Sequence, residues 1–419
     1  MEEVLVIEGK QKLNGTVKIS ASKNATVALI PASILANGIV TIREVPDISD
    51  VDSLVHLLRF LGSDVTIKDN NHIIVDSSNL SNKPLDNKYV AKLRASYYFM
   101  GALLGRFKEV KMKMPGGCYL GPRPIDLHLK GFEALGATIT NEEGFINIKA
   151  KELIGTKIYL DFASVGATIN IMMAAVLAKG KTIIENAAKE PEIIDVSLFL
   201  SSMGAKIRGA GTSEITIEGV ESLNGCVHEI IPDRIEAGTY IIMAAACAEK
   251  VVIENIIPQH LDALLSKLEE VGVNLEIDVD KITIHESNLL KSVSVKTGVY
   301  PGLATDLQQP LTTLLLKAQG TSKIKDTIYP ERFLHCRELH KMGAEIEVGD
   351  GMSSFNGPIE LYGSEVTATD LRGGAALVIA GLIAKGKTII SDIYHIDRGY
   401  DNLEGKLKAL GANIYRESR

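Results

Sequence analysis

The chain has 419 residues, of which 46% are hydrophobic and 23% charged, and its formal net charge is −7. This length predicts two or three domains, each large enough to bury a core. The negative charge provides no general attraction for nucleic acid or for an anionic membrane. The longest apolar runs, at 240–248 and 377–384, are well short of the roughly 20 residues that span a bilayer. We therefore expect no transmembrane helix, no membrane partner and no nucleic-acid partner.

The N-terminus and the cysteines indicate the compartment. The first eight residues include three glutamates and no long apolar stretch, unlike a secretory signal, so we expect a cytoplasmic protein. The four cysteines, at 118, 226, 247 and 336, are scattered and contain no C-x-x-C pair. This spacing argues against a disulfide framework and against a zinc site, and we expect no bound metal.

One sequence pattern recurs six times along the chain. In each copy an apolar run with helical spacing ends at a glycine, and an alternating run typical of a strand follows. The six glycines are Gly62, Gly136, Gly204, Gly272, Gly343 and Gly411, spaced 68 to 74 residues apart. The spacing predicts six repeated units, each with two helices and several short strands.

A repeat of this size is too small to be well buried alone, so we expect three repeats to share one domain. The strand pattern at 13–19 matches those at 223–230 and 361–366, which indicates that the first strand and the helix after it belong to different repeats. The expected domains are residues 22–231 and, as a discontinuous lobe, residues 1–21 plus 232–419. The predicted fold class is α/β, with two similar lobes of three repeats each.

Cys118 lies in a glycine- and proline-rich segment, 114–128, with Arg123 five residues further on. Such a composition cannot continue a helix or a central strand and predicts a surface loop. The arginine would favour the thiolate, which suits acid–base or covalent chemistry. Taken alone, a free cysteine is more often a small buried hydrophobic residue, and that alternative stays open at this point.

The six positions at which a strand leads into the first helix of a repeat carry polar residues. They include Lys23, Arg94, Ser164, Arg234, Asp306 and Arg372, with Asp370 beside the last. Serine and aspartate are ordinary helix caps, but a cation at a helix N-terminus is unfavourable unless an anion compensates it. We expect a multiply anionic ligand in a polar cleft to supply this compensation. Arg332 and Arg398 are further candidates, and an ordinary surface charge is the alternative for both.

Together these motifs resemble the UDP-N-acetylglucosamine 1-carboxyvinyltransferase family, the enolpyruvyl transferases that begin bacterial peptidoglycan synthesis. The matching segments are 22–25, 93–96, 115–118, 121–128, 164–168, 185–192, 232–236, 305–306, 368–372 and 394–400. The resemblance implies an inside-out α/β barrel in each lobe. Shikimate-phosphate enolpyruvyl transferases share this fold but lack the Pro-Gly-Gly-Cys loop at 115–118. They remain one alternative, and a non-catalytic sugar-nucleotide sensor is another.

The resemblance also implies a reaction and its residues. Enolpyruvate from phosphoenolpyruvate is added to the 3-hydroxyl of UDP-N-acetylglucosamine, phosphate is released, and no metal or organic cofactor takes part. The implied phosphoenolpyruvate residues are Lys23, Asn24, Arg123 and Arg398. The implied UDP-N-acetylglucosamine residues are Arg94, Arg123, Pro124, Ile125, Asp126, Leu127, Ser164, Val165, Gly166, Asp306 and Ile328. Supporting roles fall to Arg234, Arg332, Asp370 and Arg372.

The family resemblance assigns the chemistry to four side chains. It implies that Asp306 is the base for the attacking hydroxyl, and that Cys118 protonates the vinyl carbon and can form a covalent adduct. Lys23 and Arg398 complete the catalytic set. The same resemblance implies that fosfomycin alkylates Cys118.

One position departs from the family pattern. Many members have a lysine two positions before the Ser-Val-Gly motif, and this chain has Phe162 there. The phenylalanine resembles the second of the two versions that some Gram-positive bacteria carry. We therefore expect weaker or rearranged binding of the diphosphate.

Overall fold

The computed structural model describes residues 3–68, 71–115 and 125–419. The chain divides into two compact units. We call Ala21–Ile231 the N-unit, and Met1–Ser20 together with Pro232–Arg419 the C-unit.

The first two strands, β1 (Glu3–Glu8) and β2 (Leu13–Lys18), lie in the C-unit. β2 pairs in parallel with the strand Ala248–Glu254, more than two hundred residues further along the chain. β1 pairs with the last two strands, Lys387–Ser391 and Ile414–Ser418. These pairings confirm the prediction that the first strand and the helix after it belong to different repeats.

The described part of the N-unit contains seven α-helices and thirteen strands. Its helices are α1 (Lys23–Ala32), α2 (Ser49–Leu61), α3 (Lys88–Lys92), α4 (Tyr98–Phe107), α5 (Asp126–Ala134), α6 (Val165–Ala175) and α7 (Pro191–Ser202). Its strands are β3 (Ala36–Asn37), β4 (Ile39–Arg43), β5 (Asp64–Lys68), β6 (His72–Asp76), β7 (Glu109–Lys113), β8 (Thr138–Glu142), β9 (Phe145–Lys149), β10 (Lys157–Tyr159), β11 (Lys181–Glu185), β12 (Lys206–Arg208), β13 (Glu214–Glu218), β14 (Leu223–Asn224) and β15 (Val227–Glu229).

The C-unit adds the remaining elements. Its helices are α8 (Arg234–Cys247), α9 (Asp262–Val271), α10 (Gln308–Leu315), α11 (Leu334–Lys341), α12 (Leu371–Ile383), α13 (Tyr394–Asp397) and α14 (Leu403–Ala409). Its further strands are β16 (Ala248–Glu254), β17 (Leu275–Ile277), β18 (Lys281–His285), β19 (Ser294–Lys296), β20 (Gly320–Lys325), β21 (Glu347–Gly349), β22 (Met352–Gly357), β23 (Glu365–Thr367), β24 (Lys387–Ser391) and β25 (Ile414–Ser418).

The strands form one sheet of three or four strands per repeat, and β3 and β14 form an additional two-stranded sheet. The N-unit has the sheets β15-β4-β6-β5, β7-β9-β8 and β10-β11-β13-β12, and the C-unit has β17-β18-β16-β2, β19-β20-β22-β21 and β23-β24-β1-β25. In each four-stranded sheet, one parallel pair is extended by two antiparallel pairings, as in β19, β20, β22 and β21. In the three-stranded sheet β7-β9-β8, an isolated parallel bridge between Leu85 and Met112 of β7 takes the place of the parallel strand pair. The six repeats predicted from the glycine spacing are thus confirmed.

Helices form the centre of each unit. In the C-unit α8, α10 and α12 pack against one another, and in the N-unit α4 packs against α1 and α6. Nearly every residue of α8 and α12 is buried, as expected for a helix that is apolar on all sides. The six repeat glycines end the peripheral helices with φ between +89° and +107°, a region that favours glycine. The α/β fold class is confirmed.

These central helices position the predicted site residues. Lys23, Arg234 and Leu371 are the first residues of α1, α8 and α12, and Ser164 is the N-cap of α6. Short 3₁₀ helices, Arg94–Tyr97 and Thr305–Leu307, precede α4 and α10. The predicted strand-to-helix positions therefore lie at or beside the starts of buried helices. Across the described ranges, no helix is long and apolar enough to cross a membrane.

Candidate active site

A buried network of charges lies at the starts of two C-unit helices. Arg332 Nη1 donates to Asp306 Oδ1 at 2.6 Å, and Arg372 Nε donates to Asp306 Oδ2 at 3.2 Å. Arg332 Nη2 also lies 3.7 Å from Asp370 Oδ1. The two arginine side chains are only 3% and 1% exposed, whereas that of Asp306 is 26% exposed. We call these four residues the Asp306 cluster.

The electrostatics keep the cluster charged. Burial by itself would raise the pKa of Asp370, but the charge of Arg332 and hydrogen bonds from Gln309 and from the first turn of α12 hold it below the usual value. Burial likewise opposes the charge of Arg332, yet Asp306 and Asp370 raise its pKa above the ordinary value. Two carboxylates and two guanidinium groups thus compensate one another inside the unit.

We expected an anionic ligand to compensate the cations at the helix starts, and carboxylates of the protein contribute to this compensation at two of them. Arg372 pairs with Asp306, and Lys23 Nζ lies 2.9 Å from Asp50 Oδ2. The surface-charge alternative for Arg332 is wrong, because this residue is buried. The partners lie far apart in the sequence, so their pairing depends on the tertiary fold.

Asp326 holds the segment that carries Asp306 in place through hydrogen bonds. Its Oδ2 accepts a hydrogen bond from Thr305 Oγ1 at 2.6 Å, and its Oδ1 accepts from the Ile328 N–H at 2.9 Å. Thr297 Oγ1 donates to the same carboxylate. One buried side chain thereby fixes the segments that carry Asp306 and Ile328. The sequence analysis missed Asp326, although a polar residue directly after a strand of alternating pattern, here β20, is a usable signal.

The other predicted C-unit residues lie near helix ends. Arg234 begins α8 directly after its cap Asp233, and its guanidinium carbon is 5.5 Å from the centre of the Tyr300 ring. Arg398 follows α13 and is partly buried. Tyr400, two residues later, adjoins the Asp306 cluster, because its ring centre is 5.2 Å from the Arg372 guanidinium carbon.

His335 is a further titratable group beside the cluster. It is fully buried, and this burial lowers its pKa to about 4 despite the opposing charge of Asp370. The positive charge of Arg332 adds to the lowering. The imidazole is therefore neutral near pH 7 and adds no charge to the cluster.

The N-unit presents a different set of groups. Asn24 follows Lys23 in the first turn of α1, where Ser22 caps the helix by accepting a hydrogen bond from the Ala25 N–H at 3.3 Å. Arg94 lies in its 3₁₀ helix with its guanidinium carbon 5.9 Å from the centre of the Tyr97 ring. Lys23 and Arg94 are partly exposed, so both can contact a ligand.

The start of α6 offers backbone donors. Ser164 Oγ accepts a hydrogen bond from the Ala167 N–H at 3.3 Å. The N–H groups of Val165 and Gly166 lie in the first turn, where an α-helix provides no carbonyl partner. Such a helix start attracts anions through its free N–H groups and its dipole.

Residues 125–127 show which groups can reach a nucleotide. Ile125 and Leu127 are 5% and 8% exposed, and Asp126 between them is exposed. A ligand along this segment would therefore contact the backbone or the Asp126 side chain. Cys118, Arg123 and Pro124 lie outside the described residues.

Phe162 lies close to the same helix start. Its side chain is 58% exposed, unusual for a large apolar residue, and the neighbouring Asp161 pairs with Lys130 at 2.8 Å. The described side chains do not include any group of three or more His, Cys, Asp or Glu placed to hold a metal ion.

Known proteins share both the sequence and the fold. A family model described as EPSP synthase (3-phosphoshikimate 1-carboxyvinyltransferase) matches residues 7–407. UDP-N-acetylglucosamine 1-carboxyvinyltransferase 2 of a Bacillus cereus strain is 59% identical over 99% of this chain and 97% of that protein. The protein of the same name from Bacillus subtilis strain 168 is 58% identical over 99% of this chain and 97% of that protein. Its namesake from Listeria monocytogenes serotype 4b is 56% identical over 100% and 99% of the respective lengths.

Solved structures of enolpyruvyl transferases have the same fold. The enolpyruvyl transferase NikO from Streptomyces tendae superposes with a TM-score of 0.90 at 26% identity, covering 100% of this chain and 99% of that one. An EPSP synthase from Acinetobacter baumannii superposes with a TM-score of 0.74 at 18% identity, covering 100% of both chains, which shows the shared fold alone.

The number 2 in the names of the curated relatives confirms the resemblance to the second Gram-positive version. From the identity over nearly the whole chain and the match to the family model, the chain belongs to the enolpyruvyl transferase family, among the UDP-N-acetylglucosamine 1-carboxyvinyltransferases, and is an enzyme of this carboxyvinyl-transferring type.

Proposed function

We propose that the protein transfers the enolpyruvyl group of phosphoenolpyruvate to the 3-hydroxyl of UDP-N-acetylglucosamine and releases phosphate, the first committed step of peptidoglycan synthesis. The observation that carries this proposal is the 59% identity, over 99% of the chain, to a protein named for that transfer. Shikimate phosphate as acceptor has less support, because identity to the Acinetobacter EPSP synthase is only 18%. We further propose a cytoplasmic location.

The reaction consists of an addition and an elimination. In the addition, the sugar oxygen bonds to C2 of phosphoenolpyruvate while C3 gains a proton. In the elimination, phosphate leaves C2 and C3 loses a proton, which restores the double bond. Each half needs a proton acceptor and a proton donor in fixed positions. We propose Asp306 as the acceptor of the hydroxyl proton and Cys118 as the donor to C3, with the thiol also able to form an adduct.

The geometry of Asp306 suits this role. Its Oδ1 accepts a hydrogen bond from Arg332 and its Oδ2 accepts one from Arg372. The side chain is partly exposed although both arginines are buried. A carboxylate held on both sides needs little reorganisation when the proton arrives.

Cationic groups are proposed to bind the phosphoenolpyruvate anion. The candidates are Lys23, Asn24, Arg123 and Arg398. An ammonium group has three donors, so the ion pair with Asp50 does not by itself prevent Lys23 from binding a ligand oxygen. In the proposal, Arg234, Arg332, Asp370 and Arg372 act in support, by holding charges and helix starts in place.

The sugar nucleotide is proposed to bind through a longer set of residues. The candidates are Arg94, Arg123, Pro124, Ile125, Asp126, Leu127, Ser164, Val165, Gly166, Asp306 and Ile328. The free N–H groups at the start of α6 support the assignment of the diphosphate to Ser164, Val165 and Gly166.

The proposal is tested by phosphate release from phosphoenolpyruvate, with UDP-N-acetylglucosamine, with shikimate 3-phosphate, and with no acceptor. We expect release only with the sugar nucleotide, and loss of most of it in Cys118→Ala. Release only with shikimate 3-phosphate would support the alternative acceptor, and no release with either acceptor would support a non-catalytic sensor. Release that Cys118→Ala leaves unchanged would contradict the assignment of the proton donor. Fosfomycin is expected to leave a mass adduct on the wild type and none on Cys118→Ala.

A further inference from the structure

His128, the third residue of α5, has no part in the mechanism above. It is 5% exposed, and its Nδ1 lies 2.8 Å from Asn170 Nδ2. The Tyr97 ring packs edge-on against it, with 4.9 Å between the ring centres. A buried imidazole fixed on one nitrogen holds its other nitrogen in one direction.

The hydrogen bonds of Asn170 determine which nitrogen of His128 carries the proton. Asn170 Oδ1 accepts from the Gly101 N–H at 2.9 Å, and Nδ2 donates to the Tyr97 carbonyl at 3.0 Å. Only the oxygen end can accept from an N–H and only the NH₂ end can donate to a carbonyl, so the amide has one orientation. His128 Nδ1 must therefore accept the second Nδ2–H, and the neutral ring carries its proton on Nε2.

The ring is neutral at any working pH. Burial, together with the positive charge of Arg94, lowers the pKa of His128 to about 3. Nε2–H is thus a permanent, uncharged donor. Within the described ranges it has no hydrogen-bond partner of its own.

The His128 ring lies at the start of α6. A Cβ added at Gly166 would come within 3.0 Å of His128 Cε1, the carbon between the two ring nitrogens, and within 2.8 Å of Tyr97 Oη. Only glycine leaves room for so close an approach. Because Nε2 is bonded to Cε1, the Nε2–H lies close to the first turn of α6, where the N–H groups of Val165 and Gly166 have no carbonyl partner within the helix.

We propose that His128 is a substrate-binding residue whose Nε2–H donates a hydrogen bond to an oxygen of the nucleotide diphosphate at the start of α6. The inference rests on the proposed function, because it takes UDP-N-acetylglucosamine as the ligand. A helix start attracts an anion, and a donor in a poorly solvated position binds it more strongly than water does. A neutral donor also avoids leaving an uncompensated buried charge in the unliganded protein.

The test is calorimetric binding of UDP-N-acetylglucosamine and of uridine to the wild type and to His128→Phe, which keeps a ring against Tyr97 but removes the donor. We expect the sugar nucleotide to bind roughly ten- to a hundredfold more weakly, as for loss of a hydrogen bond to a charged group. Uridine, which has no phosphate, is expected to bind equally well. His128→Gln, whose amide can donate from a similar position, should recover most of the affinity. The control is His56→Phe, an exposed histidine stacked on Tyr89 at 4.6 Å.

The outcomes separate the two proposals. A wild type that releases phosphate with the sugar nucleotide, beside a His128→Phe variant of equal affinity, would overturn this inference alone. A wild type that neither releases phosphate nor binds the sugar nucleotide would overturn both. If the loss of affinity in His128→Phe grows as the pH falls from 8 to 6, the donor is an imidazolium. That result would overturn the proposal of a neutral donor. If His128→Phe does not fold, nitrogen-15 NMR of the wild-type imidazole decides, with the proton expected on Nε2 and a proton on Nδ1 contradicting the inference.

Discussion

In the C-unit, the charged side chains around Asp306 compensate one another, whereas the start of α6 in the N-unit presents uncharged hydrogen-bond donors. Asp306 and Asp370 lie between Arg332 and Arg372. At α6 the donors are two backbone N–H groups and an imidazole of lowered pKa. Both arrangements lie at the starts of buried helices in one repeated fold. The comparison teaches that such a helix start can either fix a carboxylate or present donors to an anion, depending on which side chains the neighbouring elements supply.

The largest expected effect is the loss of kcat in Asp306→Asn, in the Asp306 cluster of the C-unit. The amide keeps the shape but cannot accept the hydroxyl proton, so we expect kcat to fall by about 10²–10⁴. The measurement is steady-state phosphate release, with Asp278→Asn, an exposed aspartate of the same unit, as the control. Near wild-type kcat in Asp306→Asn would rule out Asp306 as the base.

Removing one cation tests the mutual compensation. Arg372→Leu leaves Asp306 and Asp370 with less positive charge inside the unit, and we expect the free energy of unfolding to fall by about 3–5 kcal/mol. Urea denaturation measures the change. The matched control is Arg419→Leu, which breaks the exposed pair with Glu365 and should have no measurable effect. Equal stabilities of the two variants would show that the cluster is not held by its charges.

A pH series tests whether the histidine beside the charges is neutral. The pKa of His335 is lowered from 6.5 to about 4, so the unfolded chain takes up this proton first as the pH falls. The stability that comes from neutral His335 is complete above pH 6.5 and is lost between about pH 6.5 and 4, at about 1.4 kcal/mol per pH unit. We expect the unfolding free energy of His335→Gln to depend less steeply on pH in this range than that of the wild type. The unfolding free energy of His56→Gln should keep the wild-type pH dependence. Parallel curves for wild type and His335→Gln would contradict the lowered pKa.

The smallest expected effect is at the start of α6 in the N-unit. Phe162→Lys adds a cation near the start of α6, and we expect it to tighten UDP-N-acetylglucosamine binding by roughly two- to fivefold at low salt, because the position is exposed and screened. Phe162→Gln, polar but uncharged, is the control for loss of the aromatic ring. Comparable Kd values for wild type and Phe162→Lys would remove the idea that this position weakens diphosphate binding.

The sequence predicted much of the fold because the signals are local. Helical and alternating periodicity, together with a glycine that ends each peripheral helix, recur six times and place every repeat. The matching strand patterns near Leu13 and Leu223 even predicted that β2 joins a later repeat, as its pairing with β16 shows. The same reasoning placed Asp306, Asp370 and Arg372 beside helix starts.

The sequence could not predict the partners of these residues. Arg332 and Arg372 stand 26 and 66 positions from the Asp306 that they bind. Asn170, which fixes the tautomer of His128, is 42 positions away from it. No periodicity within one element reports such pairs, so Asp326 and Asn170 were missed as supports of the site.

The amino-acid sequence by itself determined the six-repeat α/β architecture, the family and the residue types at the helix starts, because each follows from local patterning and ordered motifs. Only the tertiary structure decided which charges compensate one another and which donors stay available. Both depend on side chains that elements distant in sequence bring within hydrogen-bond distance, as Arg332 and Arg372 are brought to Asp306 and Asn170 to His128.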